Sequence, residues 1–285
     1  MSLRRPEDLI RGTVDIGTVQ TMYHRLAEVI DHPLSSAADV GRVIAEDPGL
    51  TARLLRLVNS PIYGFPSRID TVTQAISIVG MVQLRDLAIG TAFLRLFQHV
   101  PADLADMDSF WRHSVACGLA ARLIASRRRE ANIERFFVAG LLHDIGRPLI
   151  YTKLPEEAGE AHHAARKSGR LLVEVEQEML GFHHGAVGAV LLERWRLPAM
   201  LVETVAWHHA PRLAHRYPVE AATVHLADIL ANALALGTSG ERLVPPFERG
   251  VWDVIGISET QLPGILRQVE SQFGHAIEAI MGPPA

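Results

Sequence analysis

The chain has 285 residues, a net charge of −4 and a composition that is 48% apolar and 21% charged. That much apolar surface offsets the entropy of ordering and excludes disorder over most of the length, while no apolar run reaches the roughly 18 residues of a membrane span. The charge balance argues against a general polyanion binder, the lone Cys117 excludes an internal disulfide framework and fits a reducing cytoplasm, and Met1-Ser2-Leu3-Arg4-Arg5 is followed by no apolar stretch that would make a signal peptide.

In chain order, Val19, Met22, Tyr23, Leu26, Val29 and Ile30 recur at helical spacing from Thr18 to Ile30, and His32-Pro33 ends that helix. Ser35-Ser36 caps a second helix, with Val40, Val43 and Ile44 on its buried stripe. Asp47-Pro48 is an N-cap with proline at the first helical position. The third helix that follows carries Leu50, Leu54, Leu55, Leu57 and Val58 and stops at Asn59-Ser60-Pro61. Asp70 is expected to cap a fourth, closed by a left-handed Gly80, and a fifth runs from Val82 to Phe97. Residues 99–103 form a connection. Beyond it, helices are expected over 106–127, 132–150, 155–168, 184–195, 198–208, 218–236 and 259–280, with 238–258 a loop and Gly282-Pro283-Pro284-Ala285 a frayed tail. Alternation of period two persists nowhere, so the class is all-α. The expected division is an N-terminal helical subdomain over 1–100, a second subdomain over 101–240, and a C-terminal loop and helix over 241–285.

Fourteen histidines are present, ten of them between His113 and His225. The sharpest local feature is Leu141-Leu142-His143-Asp144-Ile145-Gly146-Arg147, where an apolar helix carries an imidazole and a carboxylate into a buried setting. Burying either without a partner costs several kcal/mol. A metal ion would satisfy both. Adjacent helical residues point about 100° apart, so the pair could also bridge two ions. His113, His184, His208-His209 and Asp228 are further ionisable groups on otherwise apolar helices. Such a set, drawn from separate helices, points to a metal site inside a bundle. By contrast, His162-His163 lies in the polar segment 160–167 and is expected on a solvated face, as are His24, His32, His99, His215 and His275. His225, three residues before Asp228, fits either a partner behind a ligand or a plain core histidine, and the latter is favoured. Arg127-Arg128-Arg129 lacks interleaved aromatics and is followed by Glu130 and Glu134, which suits a helix end rather than a nucleic-acid surface.

The order His113, His143-Asp144, His184, His208-His209, Asp228 resembles the HD superfamily of metal-dependent phosphohydrolases. The front half resembles one branch of it, the HDOD proteins, which are HD-related output domains of bacterial signalling. The supporting stretches are Val43 to Ser60, Ile69 to Gly80, Gly181 to Gly188 and Trp195-Arg196-Leu197-Pro198, and the similarity covers residues 14–235. This resemblance implies an N-terminal helical part packed on an HD-like core and a regulatory output through a protein partner. Many members of that branch lack the full metal set, and this sequence departs from them by keeping the HD-type ligands, which implies a divalent transition metal, one or two ions of Fe, Mn, Zn or Ni, held by His113, His143, Asp144, His184, His208, His209 and Asp228. Set beside the HD-GYP phosphodiesterase branch, the acidic and glycine elements after the His-His pair are missing. Only Tyr217-Pro218 survives, and Arg147 stands where that branch has lysine.

Two functions follow from the resemblance. In the first, the chain is a signalling output module whose metal ties helices together. In the second, it is a phosphohydrolase acting on a nucleotide, a cyclic dinucleotide or another phosphoester. Asp144 would then bridge the ions, Arg147 would neutralise charge developing on the phosphate, and His209 would ligate a second ion or shuttle a proton. The HDOD-type front half and the missing Gly-Tyr-Pro elements favour the first. Neither a nucleic-acid nor a membrane partner is expected.

Overall fold

The structure is a computed structural model that describes residues 5–10, 17–95, 97 and 100–282. The first four residues, His99, the last three residues and the side chains of Val19 and Tyr23, for which the sequence carries expectations, lie outside the described residues. Among the described residues every regular element is helical, in keeping with the all-α expectation.

The front of the chain forms α1 (Pro6–Ile10), α2 (Gly17–Asp31), α3 (Ala37–Ala45), α4 (Pro48–Val58), α5 (Val72–Val79) and α6 (Met81–Ala92). Short polar side chains set their ends. Ser36 and Asp39 form a reciprocal capping box at α3, and the Asp47 carboxylate accepts from the Leu50 amide at 2.9 Å to open α4. Asn59 closes α4 and also fixes the loop behind it. Its amide donates to the carbonyls of Leu55 and Ile69, each at 2.7 Å, and its Oδ1 accepts from the Ile69 amide at 2.8 Å. The cap of α5 is Thr71 rather than Asp70, because the Thr71 hydroxyl accepts from the Gln74 amide at 3.1 Å. Gly80 joins α5 to α6 with φ +104° and ψ 150°, positive as expected but outside the left-handed helical well. The fifth expected helix is shorter than its periodicity suggested, since α6 tightens into a 3₁₀ turn at Phe93–Arg95.

The rest of the chain forms α7 (Met107–Arg127), α8 (Glu134–Leu142), α9 (Gly146–Lys153), α10 (Pro155–Ser168), α11 (Leu172–Leu180), α12 (His184–Arg194), α13 (Ala199–Trp207), α14 (Pro218–Ala233), α15 (Val251–Ile255) and α16 (Leu262–Met281). Three expectations are corrected here. The helix foreseen over 132–150 is two helices, broken at His143-Asp144-Ile145. Helix α11 occupies a stretch to which no helix was assigned, and α15 lies inside the expected loop 238–258. The arginine triplet does end a helix. Arg127 is the last residue of α7, Arg128 donates to Glu130 and to the Val254 carbonyl, and Arg129 turns the chain with φ +61°.

One apolar cluster runs from Leu9 to Ile280, including Leu26, Leu54, Ile89, Val115, Leu142, Val205, Leu226 and Val269. Each such side chain, fully buried, contributes about 1.5–3 kcal/mol. Helix α7 lies at the centre, packed by α8, α14 and α16. Helix α16 also packs on α4, with Arg56 Nε donating to the Ala279 carbonyl at 3.3 Å. No single helix among the described residues is long and apolar enough to cross a membrane.

Candidate metal centre

Two glycine contacts set the geometry. A Cβ on Gly140 would lie 2.7 Å from the Gly118 Cα, so α7 and α8 cross backbone to backbone. A Cβ on Gly146 would lie 2.1 Å from the His184 carbonyl oxygen, so the start of α9 is pressed against the start of α12. The first contact lays His113 beside His143, ring centroids 5.3 Å apart. The second lays Asp144 beside His184, with Oδ1 2.9 Å from Nε2. The helix breaks between them. Ile145 donates to Leu142 and Arg147 to Asp144, three-residue steps in which His143 and Asp144 turn into the same space.

All seven ligand candidates converge, in two adjacent groups. His113, His143 and Asp228 form one, and Asp144, His184, His208 and His209 form the other, the ligand atoms within each group lying within 4.8 Å of one another. In the first, Asp228 Oδ1 lies 3.1 Å from His113 Nε2 and 3.6 Å from His143 Nε2. In the second, His184 Nε2 lies 3.4 Å from His208 Nε2 and 2.9 Å from His209 Nε2. Asp144 stands between the groups, with Oδ1 toward His184 and Oδ2 3.3 Å from His143 Nε2. Six of the seven residues are buried, and His209 is half-buried.

The imidazoles are oriented from behind. His143 Nδ1 donates to the Gly140 carbonyl at 2.7 Å, and His208 Nδ1 to the Val205 carbonyl at 2.8 Å. His184 Nδ1 donates to Glu176 Oε2 at 2.6 Å. With Nδ1 protonated, each neutral ring presents its Nε2 lone pair to the interior. In these neutral forms the Nε2 atoms of His184 and His208 face each other as two acceptors. Burial and Arg147 oppose a proton on His184, but Glu176 and Asp144 outweigh them and raise its pKa, so without a cation a proton there would serve instead. His143 Nε2 and Asp144 Oδ1 are sealed from solvent and make no hydrogen bond among the described residues. Buried lone pairs left in this way are costly, and a cation would satisfy them together. The imidazole and carboxylate donors suit Fe, Mn, Zn or Ni.

The charges in the protein alone agree with this. Burial opposes ionisation of Asp144, yet Arg147, His143 and His184 hold its carboxyl well below the usual range. Burial likewise opposes charge on His143, but the Asp144 carboxylate outweighs it and raises that pKa well above the ordinary imidazole value. Burial, then the neighbouring rings, pushes His208 and His209 well below it, so both stay neutral and able to ligate. Asp144 and Asp228 thus require positive charge close by, which a divalent ion supplies as readily as a proton on His143.

Arg147 is buried. Its Nε lies 3.2 Å from Asp144 Oδ2, and its Nη1 donates to Glu176 Oε1 at 3.1 Å. Its charge is therefore already spent on two carboxylates. The sequence did not single out Glu176, which also accepts from the His184 amide at 3.0 Å. Burial works to raise its pKa, but His184 and Arg147 overcome it and hold the carboxyl at about 2. Its stripe with Leu172 and Val175 was the available signal. Asn232, also unremarked in the sequence, donates to Asp228 Oδ1 at 2.8 Å.

His225 is more than a core residue. Its Nδ1 donates to the His208 carbonyl at 2.8 Å, and its Nε2 accepts from the Glu248 amide, fixing the chain at the end of α13. His162 is not on a solvated face, since it is buried against Tyr151, whereas His163 is exposed as expected. Among the other five, His32, His215 and His275 are exposed and His24 is half-buried.

Comparison with known proteins places this arrangement. The HDOD domain model matches residues 16–211. An uncharacterised protein of Treponema pallidum (strain Nichols) is 24% identical over 262 residues, which is 91% of this chain but 50% of that protein, so the chain spans about half the length of this relative. The crystal structure of an HDOD domain protein of unknown function from Geobacter sulfurreducens superposes with a TM-score of 0.75 at 25% identity, covering 96% of this chain and 95% of that one. A Shewanella amazonensis SB2B protein, provisionally named a phosphohydrolase, gives a TM-score of 0.74 at 24% identity over 97% and 96% of the two chains. With the domain match covering most of its length and its helices superposing on a solved member almost end to end, the chain belongs to the HDOD domain family.

Proposed function

We propose that this HDOD protein is a signalling output module built around a closed centre of two divalent transition-metal ions, and that it acts mainly through a regulatory protein partner. Asp144, which stands between the two groups, would serve both ions. His113, His143 and Asp228 hold one, and His184, His208 and His209 hold the other. Bound there, the metal supplies cross-linking: it joins α7, the α8–α9 break, α12, the end of α13 and α14, and its binding free energy becomes folding free energy. The observation that carries this reading is the closure of the site. Six of the seven ligand residues are buried, and Arg147, the group best placed to meet a phosphate, is held by Asp144 and Glu176.

A second reading, a metal-dependent phosphohydrolase acting on a nucleotide, cyclic dinucleotide or other phosphoester, draws on the half-buried His209 and on the name of the Shewanella protein. Such a centre would lower the pKa of a bound water and polarise a phosphoryl oxygen. His209 would ligate an ion or move a proton at Nε2, and Arg147 would have to leave Glu176 to reach a phosphate.

Metal content of the purified protein, measured beside hydrolysis of cyclic dinucleotides and of bis(4-nitrophenyl) phosphate, separates the two. The expected result is stoichiometric metal without turnover. Turnover that vanishes in His143→Ala would establish the phosphohydrolase instead, and protein that takes up no metal at neutral pH would remove both.

A further inference from the structure

A cavity of about 320 Å³ lies between the C-terminal half of α10, the turn into α11 and the segment 240–243. It shares none of the seven residues of the metal centre. Its size is at the lower end of the roughly 300–1,000 Å³ typical of small-molecule sites.

At the floor, His162 is held by buried polar groups behind the lining. Tyr151 donates its hydroxyl proton to the Ser239 carbonyl at 2.9 Å, so its oxygen is free to accept from His162 Nε2 at 3.2 Å. A neutral His162 then carries its lone pair on Nδ1, which has no hydrogen-bond partner among the described residues. Gly240, with φ +113°, lies directly on this pair, and a Cβ there would come within 2.7 Å of both the Tyr151 oxygen and His162 Cε1. A side chain at residue 240 would press on the floor, and the positive φ suits glycine.

The rim carries two arginines that form no ion pair among the described residues. Arg170 is paired with Glu174 and Glu178. Glu241, the acidic residue of the lining, keeps its negative charge but turns its oxygens to the backbone, accepting from the amides of Leu172 at 2.7 Å, Arg242 at 2.8 Å and Leu243 at 3.0 Å. Those bonds tie the 240–243 segment to the start of α11 and fix the base of Arg242. Arg166 and Arg242 have no ion pair among the described residues. Two free guanidiniums beside a neutral imidazole acceptor suit a phosphate group attached to a donor-bearing organic part.

We propose that this cavity is a binding site for a small phosphate monoester with free hydroxyls, of the size of a sugar phosphate or a nucleoside monophosphate. Arg166 and Arg242 hold the phosphate oxygens, and His162 Nδ1 accepts from a ligand hydroxyl.

Calorimetric titration of the full chain with ribose 5-phosphate, adenosine 5′-monophosphate, inorganic phosphate and ribose tests this. Saturable binding of at least one ester is expected, tighter than inorganic phosphate, with none for ribose. The Arg166→Gln, Arg242→Gln double variant changes only exposed side chains, and its unchanged melting temperature verifies the fold. It should weaken the ester at least about tenfold, as expected when charge-assisted bonds are lost. His162→Gln should narrow the preference for ester over inorganic phosphate. No saturable binding of either ester at millimolar concentration overturns the proposal. So does equal affinity for ester and inorganic phosphate, or an affinity that the double variant leaves unchanged. Metal content is measured on the same samples, so failure here is distinct from failure of the metal-centre reading.

Discussion

The helices before residue 95 and the centre between α7 and α14 handle polar groups in opposite ways. In the front helices Ser36, Asp47, Asn59 and Thr71 each find their partners within about ten residues. Each bond closes locally, and each stands independently of the others. In the centre the partners lie up to 115 residues apart, and His143 Nε2 and Asp144 Oδ1 still have no hydrogen bond. The first pattern is complete within the chain. The second is one that the proposed metal would complete, and its members should then fail together when the metal is taken away.

Removing the metal should therefore have the largest effect. An ion present at about 100 times its dissociation constant adds about 2.7 kcal/mol to stability. In a chain of this length that corresponds to a fall in melting temperature of about 5–10 °C on chelation. Asp144→Asn, which weakens both groups at once, should give low metal content and a melting curve that a chelator no longer moves. A wild-type melting curve indifferent to chelator would make the centre an ordinary buried polar cluster and erase the contrast.

A smaller effect separates the two groups. His143→Ala and His184→Ala should each remove one equivalent of metal and leave the other. Loss of all metal from either variant would mean one shared ion. Glu176→Gln should act mainly on the His184 side, lowering affinity there by about 10–100-fold, as is usual when the partner behind a ligating histidine is altered, with a smaller effect on the other group through Arg147 and Asp144. The front half supplies the control. Asn59→Ala leaves the Ile69 amide and carbonyl unpaired and should cost about 1–3 kcal/mol in denaturant unfolding with metal content unchanged.

This contrast also explains what could be read in advance. Caps such as Ser36 and Asp47 act on their own helix, so sequence spacing suffices to find them, and Asp70 missed the cap by one residue because Thr71 offers the same chemistry. The seven candidate ligands are legible because ionisable groups interrupt apolar helices. Glu176 did not, because Glu174 and Glu178 beside it made an acidic surface the natural expectation. Nor did the break at His143-Asp144-Ile145, since the contact that forces it is between Gly146 and a residue 38 positions later, His184. His162 reads as surface in the sequence for the same reason. Its neighbours in sequence are polar, whereas its neighbours in space, Tyr151 and Gly240, come from a helix and a loop that the sequence alone does not bring together.

His162 gives the finest test, because it is a buried histidine with partners on the protein and no place in the metal centre. Burial, reinforced by the charges of Arg147 and Arg166 against the weaker opposing pull of Glu176, lowers its pKa to about 4. The unfolded chain takes up that proton near the ordinary value of about 6.5. The contribution to stability is therefore complete above about pH 6.5 and is lost as the pH falls toward 4, where the folded protein must accept the charge as well. Glutamine at this position does not titrate. The melting temperature of the wild type should fall more steeply than that of His162→Gln between pH 6.5 and 4, and the two should run parallel above pH 7. Parallel curves over the whole range would mean that the imidazole is solvated after all and that the cavity floor is not the dry, fixed surface that a ligand would need.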